Sequence, residues 1–285
     1  MTIEEKLARI QDFRPIDDVF FEALAQSKEF CQEILRVIME DEYLTVEDVI
    51  VQSDKRNLYG RSVRLDALCA LGNGAKANIE VQRSDNDNHL KRARFNAASI
   101  TVKDSDTGTT FDEVLDLYII YISEFDFMQE VRTIYHIDKV LRETGTVVDD
   151  GLHEIFVNTE VDDDSDIAEL MSCFLQKEVN NSRFPVFSSE VRRLKETEGG
   201  AESMCEIMER YTKEAELEGL KKGKEQGLQQ GLQQGLQQGL QQGLQEGRIL
   251  AIQNMIEMEI PESKILSKYS KEEYKEAAAS MPVEL

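Results

Sequence analysis

The fold is decided by residues 64–82, which read RLDALCALGNGAKANIEVQ. Apolar and polar side chains alternate on both sides of Gly72-Asn73-Gly74, and this pattern predicts a β-hairpin that turns at those residues. A turn centred on Asn73 places Asp66 opposite Glu80 in the neighbouring strand. The two acids therefore face each other across the predicted hairpin.

One face of this hairpin is polar, because side chains two positions apart in a strand point to the same side. Its members are Arg64, Asp66, Glu80 and Gln82. The apolar residues between them, including Leu65 and Ala67, are predicted to point the other way. Opposed residues have Cβ atoms about 5 Å apart, so two carboxylates there repel each other unless a positive charge separates them. A hard divalent cation such as Mg²⁺ or Mn²⁺ would supply that charge.

A second interpretation needs no metal. Surface strands are often charged, and Arg64 would balance the two acids on a face turned to water. Both interpretations stay open on periodicity alone.

Helical and strand patterns alternate around the hairpin. Residues 19–39 carry apolar side chains at helical spacing behind Asp17-Asp18, which predicts one helix of about five turns with an acidic N-cap. Residues 49–52 predict a strand, residues 88–102 a polar helix, and residues 115–122 an apolar buried strand. This order of elements predicts an α/β or α+β layered fold.

The following part of the chain, residues 125–218, gives fewer signals. A strand is predicted at 153–158, and helices are predicted near 165–180 and 188–218.

A glycine occurs at every fourth position from Gly219 to Gly247, and from Gln226 the repeated unit is GLQQ. Each glycine inside a helix costs about 1 kcal/mol relative to alanine, so a helix of this sequence is not stable on its own. The repeat is therefore either a flexible linker or a helix held by a partner, most simply in a homodimer. Beyond it, residues 248–258 and two short segments around Ser270 predict a small helical cap.

The charge is uneven along the chain. The 285 residues carry a net charge of −23 at pH 7, which argues against a polyanion binding to the surface as a whole. Residues 61–104 hold 8 Lys and Arg against 5 Asp and Glu, which makes this stretch net positive. The other three stretches, residues 1–60, 105–218 and 219–285, are each net negative. If the protein contacts a phosphate backbone, it is expected to do so in the 61–104 stretch.

Composition and motifs exclude several classes of protein. No run of 18 apolar residues occurs, so we expect no membrane span, and the N-terminal residues lack the pattern of a secretory signal. The four cysteines form no CxxC pair, which argues against a zinc ribbon or a disulfide scaffold and fits the reducing cytoplasm. The three histidines have no metal-ligand spacing, and there is no P-loop, GxSxG or GxGxxG motif.

At the hairpin the sequence resembles the restriction-endonuclease-like superfamily and its D…(D/E)xK signature. Asp66 in RLDALCAL is followed by the strand NIEVQ, in which Glu80 is the second acid and Gln82 stands in the place of the lysine. More narrowly, the chain resembles the PD-(D/E)XK nuclease family transposases, also called Rpn recombination-promoting nucleases. The DxVF-like motif that begins the first helix of that family is present as Asp17 to Phe20, and Arg92 matches the arginine of the helix after the IE(V/M/I)Q strand. The resemblance covers about residues 14–125.

The resemblance implies a magnesium-dependent DNA endonuclease. Asp66 and Glu80 would ligate Mg²⁺ or Mn²⁺ together with the backbone carbonyl of Val81. Gln82 would orient the attacking water, and it would do so without acting as a general base, because an amide carries no charge. We therefore expect slower chemistry, or dependence on a second metal, and not a dead enzyme.

The resemblance also implies a set of side chains that contact DNA phosphates. They are Arg64, Arg83, Lys91, Arg92 and Arg94. A solvated helix face explains Arg92 and Arg94 equally well. Glu22 is a candidate extra acid for the metal site, although an exposed surface position suits a lone glutamate better.

Two hypotheses follow for function. The first is a cytoplasmic, metal-dependent DNA endonuclease of a recombination-linked family; the second is a nuclease-like core without turnover that acts through protein partners. Two acids in register across one hairpin favour the first.

We predict a nuclease-like domain in residues 1–218, with its core at about 14–125 and an acidic helical part at 126–218. A glycine-repeat helix or linker at 219–247 and a helical cap at 248–285 follow. The expected fold class is an α/β (α+β) restriction-endonuclease-like core, with a mixed sheet flanked by helices and a helical C-terminal extension.

Overall fold

The structure is a computed structural model that describes residues 3–55, 63–85, 88–105, 108 and 110–281. The chain divides into two compact units, Met1–Thr212 and Lys213–Leu285. Within the described ranges, no helix combines the length and the apolar character that a membrane span needs. All four cysteines are free thiols.

Eight strands are described, and six of them form one sheet. Their bounds are β1 Val46–Lys55, β2 Val63–Leu71, β3 Lys76–Gln82, β4 Leu117–Ser123, β5 Ile134–Ile137, β6 Lys139–Leu141, β7 Thr146–Val148 and β8 Leu152–Asn158. The sheet has the order β1-β2-β3-β4-β8-β5, and β6 with β7 forms a separate ribbon. Strands β3, β4 and β8 are parallel to one another, whereas β1, β2 and β5 run antiparallel to their neighbours. The predicted mixed sheet is confirmed.

Nine α-helices and one 3-10 turn, Phe111–Glu113, are described. The helices are α1 Ile3–Asp12, α2 Asp18–Ala25, α3 Lys28–Ile38, α4 His89–Asp104, α5 Asp166–Phe174, α6 Pro185–Glu196, α7 Glu198–Glu257, α8 Glu262–Ile265 and α9 Lys271–Ala279. Helix α4 connects the parallel strands β3 and β4 as a crossover. The arrangement confirms a restriction-endonuclease-like α/β core with helices flanking the sheet and a long C-terminal helix.

The hairpin has the predicted register. Ala67 pairs with Ile79 and Leu68 pairs with Asn78. Gly74 has a φ of +87° in the turn, a left-handed conformation that glycine adopts without a steric penalty. The position of each acid in the sheet could therefore be read from the sequence.

The single helix predicted at residues 19–39 is wrong: α2 and α3 are separate helices. Ser27 lies between them, and its side chain accepts a hydrogen bond from the backbone N–H of Phe30 at 3.2 Å. A serine that caps a new helix satisfies an N–H group that would otherwise have no partner. Asp17 does occupy the N-cap position of α2, but its side chain accepts from the N–H of Arg14 at 2.7 Å and does not cap the helix.

The sheet buries both of its faces. Helices α2, α3, α5 and α6 cover the face that includes Ala67, Ile79 and Val81, and α4 covers the opposite face, which includes Leu68, Ile119 and Tyr121. Leu65 packs on the α4 side with Leu68, so the prediction that it shares a face with Ala67 is wrong. The described backbone pairing of β2 with β3 ends at Ala67–Ile79, two residues from Leu65.

Four short elements were not predicted from the sequence, namely α1, β5, β6 and β7. Every residue of β6 and β7 is exposed, so their side chains show no alternation that would indicate a buried face.

The C-terminal unit contains the glycine repeat within α7 and a small apolar cluster after it. All of residues 219–247 are helical. Helices α8 and α9 pack against the end of α7 around Ile252, Ile265 and Ala277, which are buried. A capping box of Ser270 and Glu273 begins α9.

Candidate functional site

The candidate site lies where β2 and β3 separate. The next pair after Ala67–Ile79 would be Asp66 and Glu80, but here side chains replace the backbone ladder. The backbone N–H of Asp66 donates to Glu80 Oε1 at 3.4 Å, and the backbone N–H of Val81 donates to Asp66 Oδ2 at 3.0 Å. Each acid thus reaches across to the opposite strand, and the two carboxylates meet in the gap between them.

Glu80 is fully buried, with none of its surface exposed. Its Oε1 atom accepts a hydrogen bond from Asn78 Nδ2 at 3.0 Å. Its Oε2 atom accepts no hydrogen bond from the described residues and lies 3.7 Å from Arg92 Nη2. Burial raises the pKa of Glu80, while the Asn78 amide and the Arg92 charge act in the opposite direction. A buried carboxylate oxygen without a donor carries a free-energy cost that a cation would remove.

The pKa of Asp66 is raised well above its ordinary value. The main cause is desolvation by the surrounding protein, and the second is the negative charge of Glu80. The hydrogen bond from the Val81 N–H acts in the opposite direction. The repulsion expected from the sequence is therefore present, and the pair is poor at holding two negative charges without a cation.

The donors at this position suit a hard divalent cation. Asp66 and Glu80 supply carboxylate oxygens, and the N–H and C=O groups of a strand residue point to the same neighbouring strand. Because the Val81 N–H points to Asp66, the Val81 carbonyl faces the same gap. Oxygen ligands of this kind fit Mg²⁺ or Mn²⁺. In the part of the chain that the structure describes, no group of three or more His, Cys, Asp and Glu side chains is arranged to hold a metal.

Gln82 ends β3 and has both ends of its amide occupied. Its Oε1 atom accepts a hydrogen bond from Arg92 Nη1 at 2.7 Å, and its Nε2 atom donates to the backbone oxygen of Ser84 at 2.9 Å and to Ser84 Oγ at 3.2 Å. Arg92 projects from the first turn of α4 and reaches both Gln82 and Glu80. The amide therefore joins the end of β3 to α4 in this structure.

Arg83 belongs to a cluster of four charged side chains. Its Nη1 atom lies 2.7 Å from Asp17 Oδ1 and its Nε atom lies 3.3 Å from Glu124 Oε2. Arg14 completes the cluster with two hydrogen bonds to Glu124, at 2.7 and 3.1 Å. Half of the Arg83 side chain is exposed, and its ion pairs use only Nη1 and Nε, so it can contact a phosphate while it keeps them.

The other basic candidates occupy different places. Lys91 and Arg94 are both exposed on α4, and Lys91 lies about 160° around the helix from the buried Ala93. Residues of a helix are 100° apart, so Arg94 points about 200° away from Arg92. Arg64 lies in β2, but its side chain is outside the described part of the chain.

The expected exposed position of Glu22 is wrong. Only 2% of Glu22 is exposed, and its carboxylate pairs with Arg210 from the first part of α7. A buried glutamate needs such a partner, and the long sequence separation hid this one from the sequence.

The sequence analysis assigned no functional role to two polar residues of the site, Asn78 and Asp18. Asn78 is fully buried and donates to Glu80, and its position two residues before Glu80 in an otherwise apolar strand was the available signal. Asp18 begins α2, and its charge raises the pKa of Asp66. Desolvation raises the pKa of Asp18 itself, whereas Arg92 and Arg83 lower it. Only the packing of α2 against the sheet reveals this second relation.

His89 fixes the start of α4 beside the site. It is 4% exposed, with Nδ1 2.7 Å from the Tyr121 hydroxyl and Nε2 2.8 Å from Asp85 Oδ1. Its ring also lies against Phe125 and Phe127, with centroids 5.1 and 5.0 Å away. These contacts anchor the loop after Gln82 to the sheet.

Comparison with known proteins shows which protein family the part of the chain around this site matches. Residues 16–171 match the family model of the PD-(D/E)XK nuclease family transposases, which is more than half of the 285-residue chain. No curated protein and no solved structure matches the chain. The matched range begins just before α2 and ends within α5, so it contains both acids, Gln82 and Arg92.

Proposed function

The chain belongs to the PD-(D/E)XK nuclease family transposases, and from this membership and the Asp66–Glu80 pair we propose that it is a divalent-metal-dependent DNA endonuclease. It would hydrolyse phosphodiester bonds. The observation that carries the proposal is the gap between β2 and β3, where two carboxylates of raised pKa meet and one buried oxygen of Glu80 accepts no hydrogen bond from the described residues.

Asp66, Glu80 and the carbonyl of Val81 would hold Mg²⁺ or Mn²⁺. A cation at this position lowers the pKa of a water nucleophile and offsets the negative charge that develops on the scissile phosphate. Asn78 holds one Glu80 oxygen in place by its hydrogen bond, so the other oxygen faces Arg92 and the ligand position. The buried surroundings of Glu80 keep competing water away from that oxygen.

Gln82 would position the groups around the scissile phosphate. Its amide holds Arg92 on one side and the Ser84 loop on the other, and the second lone pair of its oxygen could accept a hydrogen bond from a water. It cannot accept a proton at neutral pH, so proton removal from the attacking water would depend on the lowered pKa of that water.

Lys91 and Arg94 would contact the DNA backbone at a distance from the scissile bond, because they lie on the outer side of α4. Arg83 would do so through the exposed half of its side chain, beside its ion pairs with Asp17 and Glu124. The local excess of positive charge in residues 61–104 supports contact in this region. The four free thiols support a reducing compartment such as the cytoplasm.

We also propose a homodimer through the repeat in α7. The five leucines of the repeat, Leu228, Leu232, Leu236, Leu240 and Leu244, each expose 60–75% of their surface. No atom of the described structure would touch a Cβ placed on any of the eight glycines. A second copy would cover the leucines and approach closely at the glycines, and a dimer supplies the two sites that cleavage of both DNA strands requires.

A plasmid-nicking assay with the purified full chain tests the activity. We expect nicking in Mg²⁺ or Mn²⁺ and none in Ca²⁺ or with a chelator, because the looser coordination of calcium orients the water poorly. Asp66→Asn should abolish nicking, whereas Asp48→Asn, which changes an exposed acid of β1, should not. If nicking is absent under every metal condition, the protein acts instead as a nuclease-like binding module.

A further inference from the structure

We propose that Arg92 is the cation of the Asp66–Glu80 site while no metal is bound, and that its guanidinium leaves Glu80 for the DNA phosphate when a divalent cation binds. Arg92 would then be a positioning residue with two positions of its guanidinium, one beside Glu80 in the metal-free site and one at the DNA phosphate in the metal-bound site. This inference rests on the proposed metal-dependent function and adds to it a competition that the function does not require.

The contacts of Arg92 show what it does without a metal. One guanidinium nitrogen is held by Gln82 at 2.7 Å, and the other lies 3.7 Å from Glu80 Oε2. That oxygen is buried and accepts no hydrogen bond from the described residues, and the Arg92 charge offsets its negative charge electrostatically.

A metal ion and this guanidinium cannot both stay beside Glu80 at low cost. Two positive charges a few ångströms apart repel strongly where the surroundings are poorly hydrated. The separation of 3.7 Å is also too long for a hydrogen bond, so the contact with Glu80 is electrostatic and can be given up without breaking one.

Arg92 has room to move away. Its side chain is 35% exposed, whereas that of Glu80 is fully buried. Gln82 holds the guanidinium by one hydrogen bond at the end of β3, so the side chain can turn about this contact toward solvent. A guanidinium released there would meet a phosphate oxygen with the paired N–H geometry that arginine offers.

Arg94 provides a matched comparison on the same helix. It carries the same charge two residues later, is exposed, and points to the opposite side of α4. The competition should therefore be a property of Arg92 and not of positive charge on α4 in general.

The test measures Mn²⁺ binding by isothermal titration calorimetry on the full-length protein without DNA. We compare the wild type with Arg92→Gln, Arg94→Gln and Asp66→Asn. Arg92→Gln should bind Mn²⁺ about two- to fivefold more tightly, which is what a partly exposed ion pair is worth, whereas Arg94→Gln should bind Mn²⁺ as the wild type does. Equal or weaker binding by Arg92→Gln overturns the inference and leaves the metal site intact.

A second measurement needs no variant of the site. The ¹⁵Nε resonance of Arg92, assigned through its covalent connection to the backbone resonances of Arg92, should shift in wild-type protein in step with saturation by diamagnetic Mg²⁺. A resonance that stays in place while Mg²⁺ binds overturns the inference even if the variant misfolds. Absence of Mn²⁺ binding by the wild type, or equal binding by Asp66→Asn, overturns the proposed metal site itself, so the two failures are distinguishable.

Discussion

The β2–β3 hairpin and the glycine repeat of α7 both follow a simple periodic pattern, yet they differ in what surrounds them. Hairpin residues such as Ala67, Ile79 and Glu80 are enclosed by helices and strands of the first unit. In the repeat, the leucines are exposed and the glycines face open space among the described residues.

This difference shows what a pattern can and cannot decide. The side chains of the hairpin alternate with a period of two residues, and helices of the same chain cover each of its two faces. The strand register and the buried positions therefore follow from this period. The four-residue period of the repeat indicates a stripe that turns about 40° per unit around the helix, and no described element covers it. A periodic pattern therefore specifies the structure only where the element that packs against it is known as well.

The largest expected effect comes from the acids of the hairpin. Asp66→Ala or Glu80→Ala should each reduce metal-dependent nicking by at least about 100-fold. The double variant should be little worse than either single one, because residues that act as a unit have non-additive effects. Nicking rates on supercoiled plasmid provide the measurement, and full activity of Asp66→Ala would contradict the site assignment.

The repeat offers the opposite test, since its glycines have no neighbours to explain them. Replacing Gly231 and Gly235 with alanine should weaken the proposed dimer by about tenfold or more, because a Cβ would prevent close approach of the helices. Analytical ultracentrifugation of the full chain measures this, with Gln233→Ala as the control in the same helix.

The other outcome for the repeat is equally clear. If the helix has no partner, each alanine should stabilise it by up to about 1 kcal/mol and raise the helical signal in circular dichroism, without a change in association. Truncation after Leu217 should then leave the oligomeric state unchanged, whereas the dimer proposal requires a monomer that nicks but cuts both strands poorly.

A smaller effect should appear in the stability of the metal-free protein. Burial raises the pKa values of Asp66 and Glu80, and the charge of Glu80 raises the pKa of Asp66 further, so the folded state binds protons more tightly than the unfolded chain does. The charged pair therefore destabilises the fold at pH 7, and the penalty disappears as the pH falls below the ordinary values of 3.8 and 4.5.

Removal of one charge exposes this penalty. Asp66→Asn should raise the Tm at pH 7 in the presence of chelator by about 2 to 4 °C, and the difference should vanish near pH 4. Saturating Mg²⁺ should reverse the order, because only the wild type gains stability from bound metal. A Tm of Asp66→Asn below that of the wild type at pH 7 with chelator would show that the pair is not under repulsion.

Gln82→Lys restores the residue more common in the superfamily at the end of the hairpin. We expect nicking that is retained or raised by a few-fold, with an altered pH profile, because an ammonium group interacts directly with the attacking water or the phosphate. The variant also removes the acceptor of Arg92. A loss of nicking comparable to that of Asp66→Ala would show that the Gln82–Arg92 contact matters more than the charge.

The smallest expected effect concerns the outer side of α4. Arg94→Ala should reduce the slope of log binding constant against log salt by about one unit if Arg94 contacts one phosphate. Fluorescence anisotropy with a short duplex in chelator measures binding without cleavage. An unchanged slope would assign Arg94 to a solvated helix face.

Sequence was sufficient for the hairpin register, for the positions of α4 and β4 and for the meeting of Asp66 with Glu80, since all of these follow from local periodicity. It was insufficient for the break before α3, where Ser27 forms a local cap in place of a continuing helix. It also misplaced Glu22, whose partner Arg210 lies far along the chain.

By itself the sequence determined which residue types face each other across the hairpin. Once the turn is located, the regular geometry of a strand fixes which residue number lies opposite which. Only the tertiary structure decided how those residues are connected. Arg92 reaches Gln82 and Glu80, Arg83 pairs with Asp17 and Glu124, and Asp18 comes within electrostatic range of Asp66. Each of these relations joins separate elements, and the packing of α2 and α4 against the sheet sets the distances on which charge interactions depend.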